Sequence, residues 1–171
     1  LIVPSSDQHK IVLVRHADAG DRTTYKGPDY RRPLSQKGSW QAAQIALELT
    51  PLNPTQILTS RSVRCFSTVT PLAKATCLEI HECDELFEGS DPREAWNVLI
   101  TSMNNGAGTL VACSHGDVIP GIIGLLADAG LRFDSPPKIK KASMTILKLK
   151  DGHVLSMQVR QSPRFVNGSG Q

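Results

Sequence analysis

The sequence predicts a three-layer α/β/α sandwich around a mostly parallel central sheet that carries an antiparallel edge strand. Three observations predict it. Short apolar runs alternate with segments of helical periodicity, the order in which β-α units succeed one another. The best of these runs, around Ile11–Val14 and Leu110–Ala112, are apolar at consecutive positions, as strands buried on both faces must be. Near the C-terminal end two strand-like runs flank Asp151-Gly152, a dipeptide suited to a two-residue hairpin turn.

Taken in order, His9 to His16 reads as a short buried strand that ends on the charged pair Arg15-His16. Gly20 to Arg32 is a polar loop. Trp40, Ala43 and Leu47 at helical spacing predict a helix capped by Ser35 and running to about Leu49, where Pro51 and Pro54 stop it. Thr55–Thr59 is a second strand. Val63, Phe66, Val69 and Leu72 give Ser60–Ala75 a helical face, which Pro71 is expected to kink or end. Glu79–His81 forms a weak strand, and after a loop with Gly89 a helix opens on Pro92 and reaches Met103. Thr109–Ser114 is the third convincing strand, Val118–Ala129 an apolar helix, and Ala142–Leu149 with Val154–Val159 the terminal hairpin. Residues 1–8 are expected to be an N-terminal extension, 9–161 the domain, and 162–171 a mobile tail.

Composition bounds the function. The chain has 171 residues, 40% of them hydrophobic, enough for the core of one domain. With 20% charged residues and a net charge of +3 it is not a disordered polyelectrolyte. Its Lys and Arg residues are dispersed, so no nucleic-acid partner is expected. The longest uncharged apolar stretch, Val118 to Ala127, is too short to span a bilayer, which takes about 20 residues. Residues 1–7 lack the basic-then-apolar pattern of a secretory signal, and a cytoplasmic location is expected. A chain opening on Leu1 rather than Met is expected to be trimmed or cut from a longer polypeptide. Cys65, Cys77, Cys83 and Cys113 form no CxxC pair and are expected to be reduced, mostly buried thiols; neither a metal site nor a cofactor is implied.

Chemistry should sit beyond the carboxyl ends of the parallel strands. Two of them end in histidine, Arg15-His16 and Ser114-His115-Gly116, and the strand between them in chain order is followed by Ser60, Arg61 and Arg64. Two imidazoles among several Arg suit a phosphoryl group. A guanidinium pairs two oxygens at once, and a neutral imidazole surrounded by cations is a competent nucleophile. His9, His81 and His153 have no such partners, Arg61 reads equally well as a solvated residue, and Trp40 and Trp96 read as core.

Arg15-His16-Ala17, Ser60-Arg61-Ser62-Val63-Arg64, Ser114-His115-Gly116 and the segment Arg32-Pro33-Leu34-Ser35 with Gly38 occur in the order in which the histidine phosphatase superfamily carries its motifs. The sequence resembles that superfamily, with its phosphoglycerate mutase-like fold, and in particular its short SixA-like phosphohistidine phosphatase branch. The resemblance spans residues 10 to about 160. It implies that His16 is the nucleophile that becomes phosphohistidine, that Arg15 and Arg64 clamp the phosphoryl oxygens, and that His115 donates to them. Glu85, in Glu85-x-x-x-Gly89, falls where many members place the general acid; Asp84, Glu88 or no acid at all are the alternatives. Arg32 is the member of its loop expected to point inward, and Ser60 either bonds the phosphate or caps its helix. Ala17 replaces the usual Gly, a change this branch tolerates, so no positive φ is expected there.

The implied activity is metal-independent hydrolysis of a phosphomonoester or of protein phosphohistidine, the partner being a phosphorylated small molecule or a phosphohistidine protein. Three alternatives stand beside it. One is the phosphatase domain of a Nudix-fused nucleotide hydrolase. Another is a phosphoglycerate mutase, disfavoured because only about thirty residues separate Glu85 from His115. The third is an inactive phosphate-binding module.

Overall fold

The computed structural model describes residues 9–104 and 108–164. The expected extension at 1–8 and the tail beyond 164 lie outside the described residues.

Strand β1 (His9–Arg15) leads through a long loop, with a 3-10 turn at Asp29–Arg31, to α1 (Gln36–Leu49). Then follow β2 (Pro54–Thr59), α2 (Val63–Thr76), β3 (Ile80–Glu82), α3 (Pro92–Asn104), β4 (Thr109–Ser114), α4 (Val118–Asp128), β5 (Met144–Lys150) and β6 (His153–Arg160). The six strands lie in the order β3-β2-β4-β1-β5-β6. β3, β2, β4 and β1 are mutually parallel. β5 runs antiparallel to β1, and β6 antiparallel to β5 at the sheet edge.

Alternation along the strands divides the core. Val12, Val14, Val111 and Cys113 pack with Ile45, Leu49, Val69 and Leu72 from α1 and α2. Ile11, Leu13, Leu110 and Ala112 point the other way, against Leu99 of α3 and Ile119 and Ile122 of α4. This is the three-layer sandwich that the apolar runs predict.

Local chemistry sets the boundaries. The Ser35 hydroxyl accepts from Gly38 N–H at 3.0 Å and starts α1 as expected. Asp151 and Gly152 have φ of 51° and 76°, the left-handed pair that a type I′ hairpin needs. Ala142, at φ 59°, breaks the extended path, so β5 begins at Met144 rather than at Ala142.

Two expectations for α2 are corrected. The helix begins at Val63, not Ser60, because Ser60–Ser62 form the turn off β2. It also runs through Pro71 to Thr76. Pro71 removes one helical N–H, but Val69 before it and Leu72 and Ala73 after it are all buried in the same core, and that packing sustains the helix beyond it.

Candidate active site

β1, β4 and β2 end side by side, and their last residues bring the site together. His16 N–H donates to Ser114 O at 3.0 Å, tying the turn after β1 to β4. Ala17 N–H donates to Thr68 Oγ1 of α2 at 2.9 Å, and that hydroxyl donates in turn to Arg64 O at 2.6 Å. Gly38 explains why α1 can approach this turn: a Cβ there would collide with the Asp18 carbonyl. The same carbonyl accepts from Ser35 N–H at 2.9 Å. Ala17 has no positive φ, as expected.

The His16 ring is 6% exposed. Its Nδ1 lies 2.8 Å from Ala17 O, so Nδ1 carries the proton and Nε2 the lone pair. Burial, with the Arg64 and Arg15 cations adding to it, pushes its pKa down to about 3 against the pull of the Ala17 carbonyl. The imidazole is neutral at any ordinary pH.

Nε2 faces Arg64, whose Nε donates to it at 3.3 Å. The rest of the Arg64 fork is taken up: Nη1 donates to Asp29 O at 2.8 Å, and Nη2 lies 3.1 Å from Glu88 Oε2 and 3.4 Å from His115 Nδ1. Asp29 Oδ2, 3.1 Å away, completes the charge balance of a side chain only 1% exposed, which unpaired would be strongly destabilising. Because Arg64 donates to Nδ1 of His115, the ring's own proton lies on Nε2, 2.8 Å from Ser60 Oγ. The two imidazoles stand edge to face with centroids 5.4 Å apart.

Beside His16 opens a cavity of about 600 Å³ lined by Arg15, His16, Arg22, Arg32, Glu88 and Asp117, among others. Arg15 donates from Nη1 to Ile139 O at 2.7 Å, while its Nε is buried without a partner. Its guanidinium passes so close to Gly116 that any side chain there would strike it. Burial lowers the Arg15 pKa, and Asp117 and Glu88 oppose the fall. Arg22 bridges Glu88 at 2.7 Å and Asp29 at 3.3 Å, fastening the loop after β1 across the cavity. Among the described residues no cluster of three or more His, Cys, Asp or Glu is arranged to hold a metal.

This arrangement coincides with a family match. The sequence profile of the histidine phosphatase superfamily (branch 1) fits residues 11–90, from β1 through the loop that carries Glu88. The chain belongs to the histidine phosphatase superfamily. It is 31% identical over 160 residues to an 8-oxo-(d)GTP phosphatase of Mycolicibacterium smegmatis, covering 92% of this chain and 49% of that protein. The chain thus spans about half the length of the curated relative it matches. Its fold is similar to that of the protein histidine phosphatase SixA solved with tungstate, with a TM-score of 0.72 at 18% identity over 89% of this chain and 94% of that one. It is also similar to that of Bacillus stearothermophilus YhfR, with a TM-score of 0.70 at 18% identity over 85% and 94% of the two chains.

In this histidine phosphatase chain the expected site residues divide clearly. His16, His115, Arg64 and Ser60 form one hydrogen-bonded cluster, of which His16 lines the cavity together with Arg15 while Arg64, His115 and Ser60 lie buried behind it. Arg32 also reaches the wall, and braces the loop by donating from Nε to Asp29 at 2.9 Å and from Nη1 to the Ala19 carbonyl at 2.7 Å. Ser60 holds His115 and caps no helix. Glu85 stands apart. It is exposed, does not line the cavity, and accepts from the Cys83 thiol at 3.0 Å, which holds its carboxyl below the usual range. The carboxylate that this loop brings to the cavity is Glu88, three residues on, past a 3-10 turn at Asp84–Leu86.

Sequence reasoning missed Thr68, Asp117 and Lys141 as parts of this site. Only Asp117 had a local signal, two residues after His115; its Oδ2 accepts from Gly89 N–H at 2.7 Å and so fixes the loop bearing Glu88.

Proposed function

We propose that this chain is a metal-independent phosphatase that passes a phosphoryl group through His16. One observation carries the reading: a buried, neutral imidazole with its proton committed to Ala17 O and its Nε2 lone pair turned toward Arg64, beside a cavity rimmed by further cations.

Nε2 attacks phosphorus, the bond from phosphorus to the leaving oxygen breaks, and Glu88 passes that oxygen a proton. Arg15 and Arg64 take the phosphoryl oxygens, and the unpaired Nε of Arg15 is a buried donor whose desolvation cost of about 1–3 kcal/mol an anion relieves. Engaging Arg64 with phosphate loosens its hold on Glu88. Water then attacks the phosphohistidine, the P–N bond breaks, Glu88 takes the water proton, and orthophosphate leaves a neutral His16. His115, held through Nε2 by Ser60, accepts from Arg64 at Nδ1 and so orients that guanidinium toward the phosphoryl oxygens.

The substrate class is a phosphomonoester or a protein phosphohistidine. A second reading, a nucleotide substrate, is favoured by the 31% identity across 92% of this chain to part of an 8-oxo-(d)GTP phosphatase. Four free cysteines fit a reducing compartment, and we place the protein in the cytoplasm. No described helix is long and apolar enough to cross a membrane.

The test is hydrolysis of para-nitrophenyl phosphate in EDTA. The expected result is turnover that His16→Ala abolishes, with an acid-labile, alkali-stable phosphoenzyme trapped in the wild type. Turnover that survives His16→Ala overturns the reading. Phosphate affinity without release marks a binding module instead. Phosphorylated metabolites, nucleotides and a phosphohistidine protein assayed side by side separate the two substrate readings.

A further inference from the structure

Next to the catalytic cavity lies a second one of about 660 Å³, and Lys141 lines both. Its charges are unbalanced: Lys37, Lys140, Lys141 and Arg164 face a single carboxylate, Asp18. That carboxylate is spent internally. It accepts from the Ser35 hydroxyl at 2.7 Å, from Lys141 Nζ at 3.0 Å and from Gly20 N–H at 3.2 Å. Burial would raise its pKa, but these donors outweigh it and hold it at about 2, so Asp18 stays ionised with its charge committed to Lys141. Lys37 and Lys140 make no ion pair among the described residues.

A buried group also serves this cleft. Gln41 is 5% exposed and lines it; its Oε1 accepts from Asp18 N–H at 2.9 Å, which leaves the amide NH2 as its unengaged donor end. The catalytic cavity differs. There Asp21, Glu88 and Asp117 stand against Arg15, Arg22, Arg32 and Lys141, so the larger surplus of positive charge lies in the lysine cleft. Flexible ammonium groups clustered without counter-charges suit a phosphate, which they contact as point charges.

We propose that this cleft is a second anion subsite, and that the substrate is a small molecule bearing a second phosphate that docks against Lys37 and Lys140 while the first is presented to His16. The proposal rests on the phosphatase reading above and adds the substrate's second anionic group to it. Asp18, two residues along the chain from His16, and Lys141, which lines both cavities, form the saddle that the linking part of the substrate crosses.

The test uses a matched pair of probes with the same primary-alcohol leaving group, hexane-1,6-diol bisphosphate and hexyl phosphate. Wild-type protein is expected to hydrolyse the bisphosphate with a kcat/KM at least 10-fold higher. Lys37→Ala/Lys140→Ala should cut that ratio fivefold or more, and raising the salt should lower it in the wild type. A wild-type ratio near one, or a ratio the double variant leaves intact, overturns the subsite. Binding of both probes to His16→Ala, followed by calorimetry, reads the subsite without turnover: a tenfold tighter bisphosphate that the lysine substitutions abolish supports it, and equal binding overturns it. Should wild type hydrolyse neither probe nor para-nitrophenyl phosphate, the phosphatase reading falls, and the calorimetric comparison still decides the cleft.

Discussion

Burial of a neutral His16 makes the stability of this protein depend on acid in a way that can be calculated. The folded pKa is about 3, against about 6.5 in an unfolded chain. Between those values the unfolded state binds the proton and the folded state does not, so stability is complete above pH 6.5 and is lost as pH falls toward 3. Going from pH 7.5 to 4.5 therefore costs about 2–3 kcal/mol through this one side chain. Urea denaturation of wild type and His16→Gln at intervals across that range isolates it, because Asp18, with a folded pKa of about 2, and the other carboxyls titrate in both proteins and cancel in the difference. The stability gap should change by about 2–3 kcal/mol in favour of His16→Gln at the acid end. A gap that stays flat, or an NMR titration placing the His16 ring near 6.5, refutes the buried-neutral imidazole and with it the argument that Nε2 is a ready nucleophile. The same shift means that an acid limb in kcat/KM between pH 4.5 and 6.5 belongs to a group other than His16.

Glu88→Gln should slow hydrolysis of alkyl phosphates by about 10²–10⁴-fold and para-nitrophenyl phosphate much less, since only the poor leaving group needs the proton; Glu85→Gln should show no such contrast, and the reverse pattern would return the acid role to Glu85. Arg64→Lys keeps the charge but loses the fork shared among His16, Asp29, Glu88 and His115, so kcat/KM should fall about 10- to 100-fold, read with para-nitrophenyl phosphate. Gly38→Ala sets a methyl group on the Asp18 carbonyl and should cost about 2 kcal/mol, a fall of about 4–8 °C in Tm by calorimetry.

The fold was legible where a residue's local preference agreed with its packing. Strands such as Ile11–Val14 must be apolar on both sides to sit between two helical layers, and that requirement shows in the sequence directly. Ser35 and the Asp151-Gly152 pair likewise act through their own backbone geometry. Pro71 misled because its local cost is readable while the burial of Val69, Leu72 and Ala73 that overrides it depends on α1 and the sheet.

The same distinction runs through the site. His16, His115 and Arg64 sit at the ends or starts of regular elements, so their convergence follows from strand order alone. Glu85 and Glu88 lie on one short loop, where a 3-10 turn decides which carboxylate faces inward. Spacing to Gly89 could not decide it. What turns Glu88 into the cavity is contact from elsewhere in the chain: Arg22 from the loop after β1, Arg64 from α2, Asp117 holding Gly89, and the Ser114 hydroxyl donating to Leu86 O at 2.7 Å. A loop fixed by four distant partners is determined by the tertiary structure and not by its own residues. It follows that Asp117→Ala, which touches neither His16 nor Arg64, should release that loop and reproduce part of the Glu88→Gln leaving-group effect. If Asp117→Ala instead slows good and poor leaving groups alike, the loop is held without Asp117, and its place on the cavity wall must be explained by direct contact with substrate.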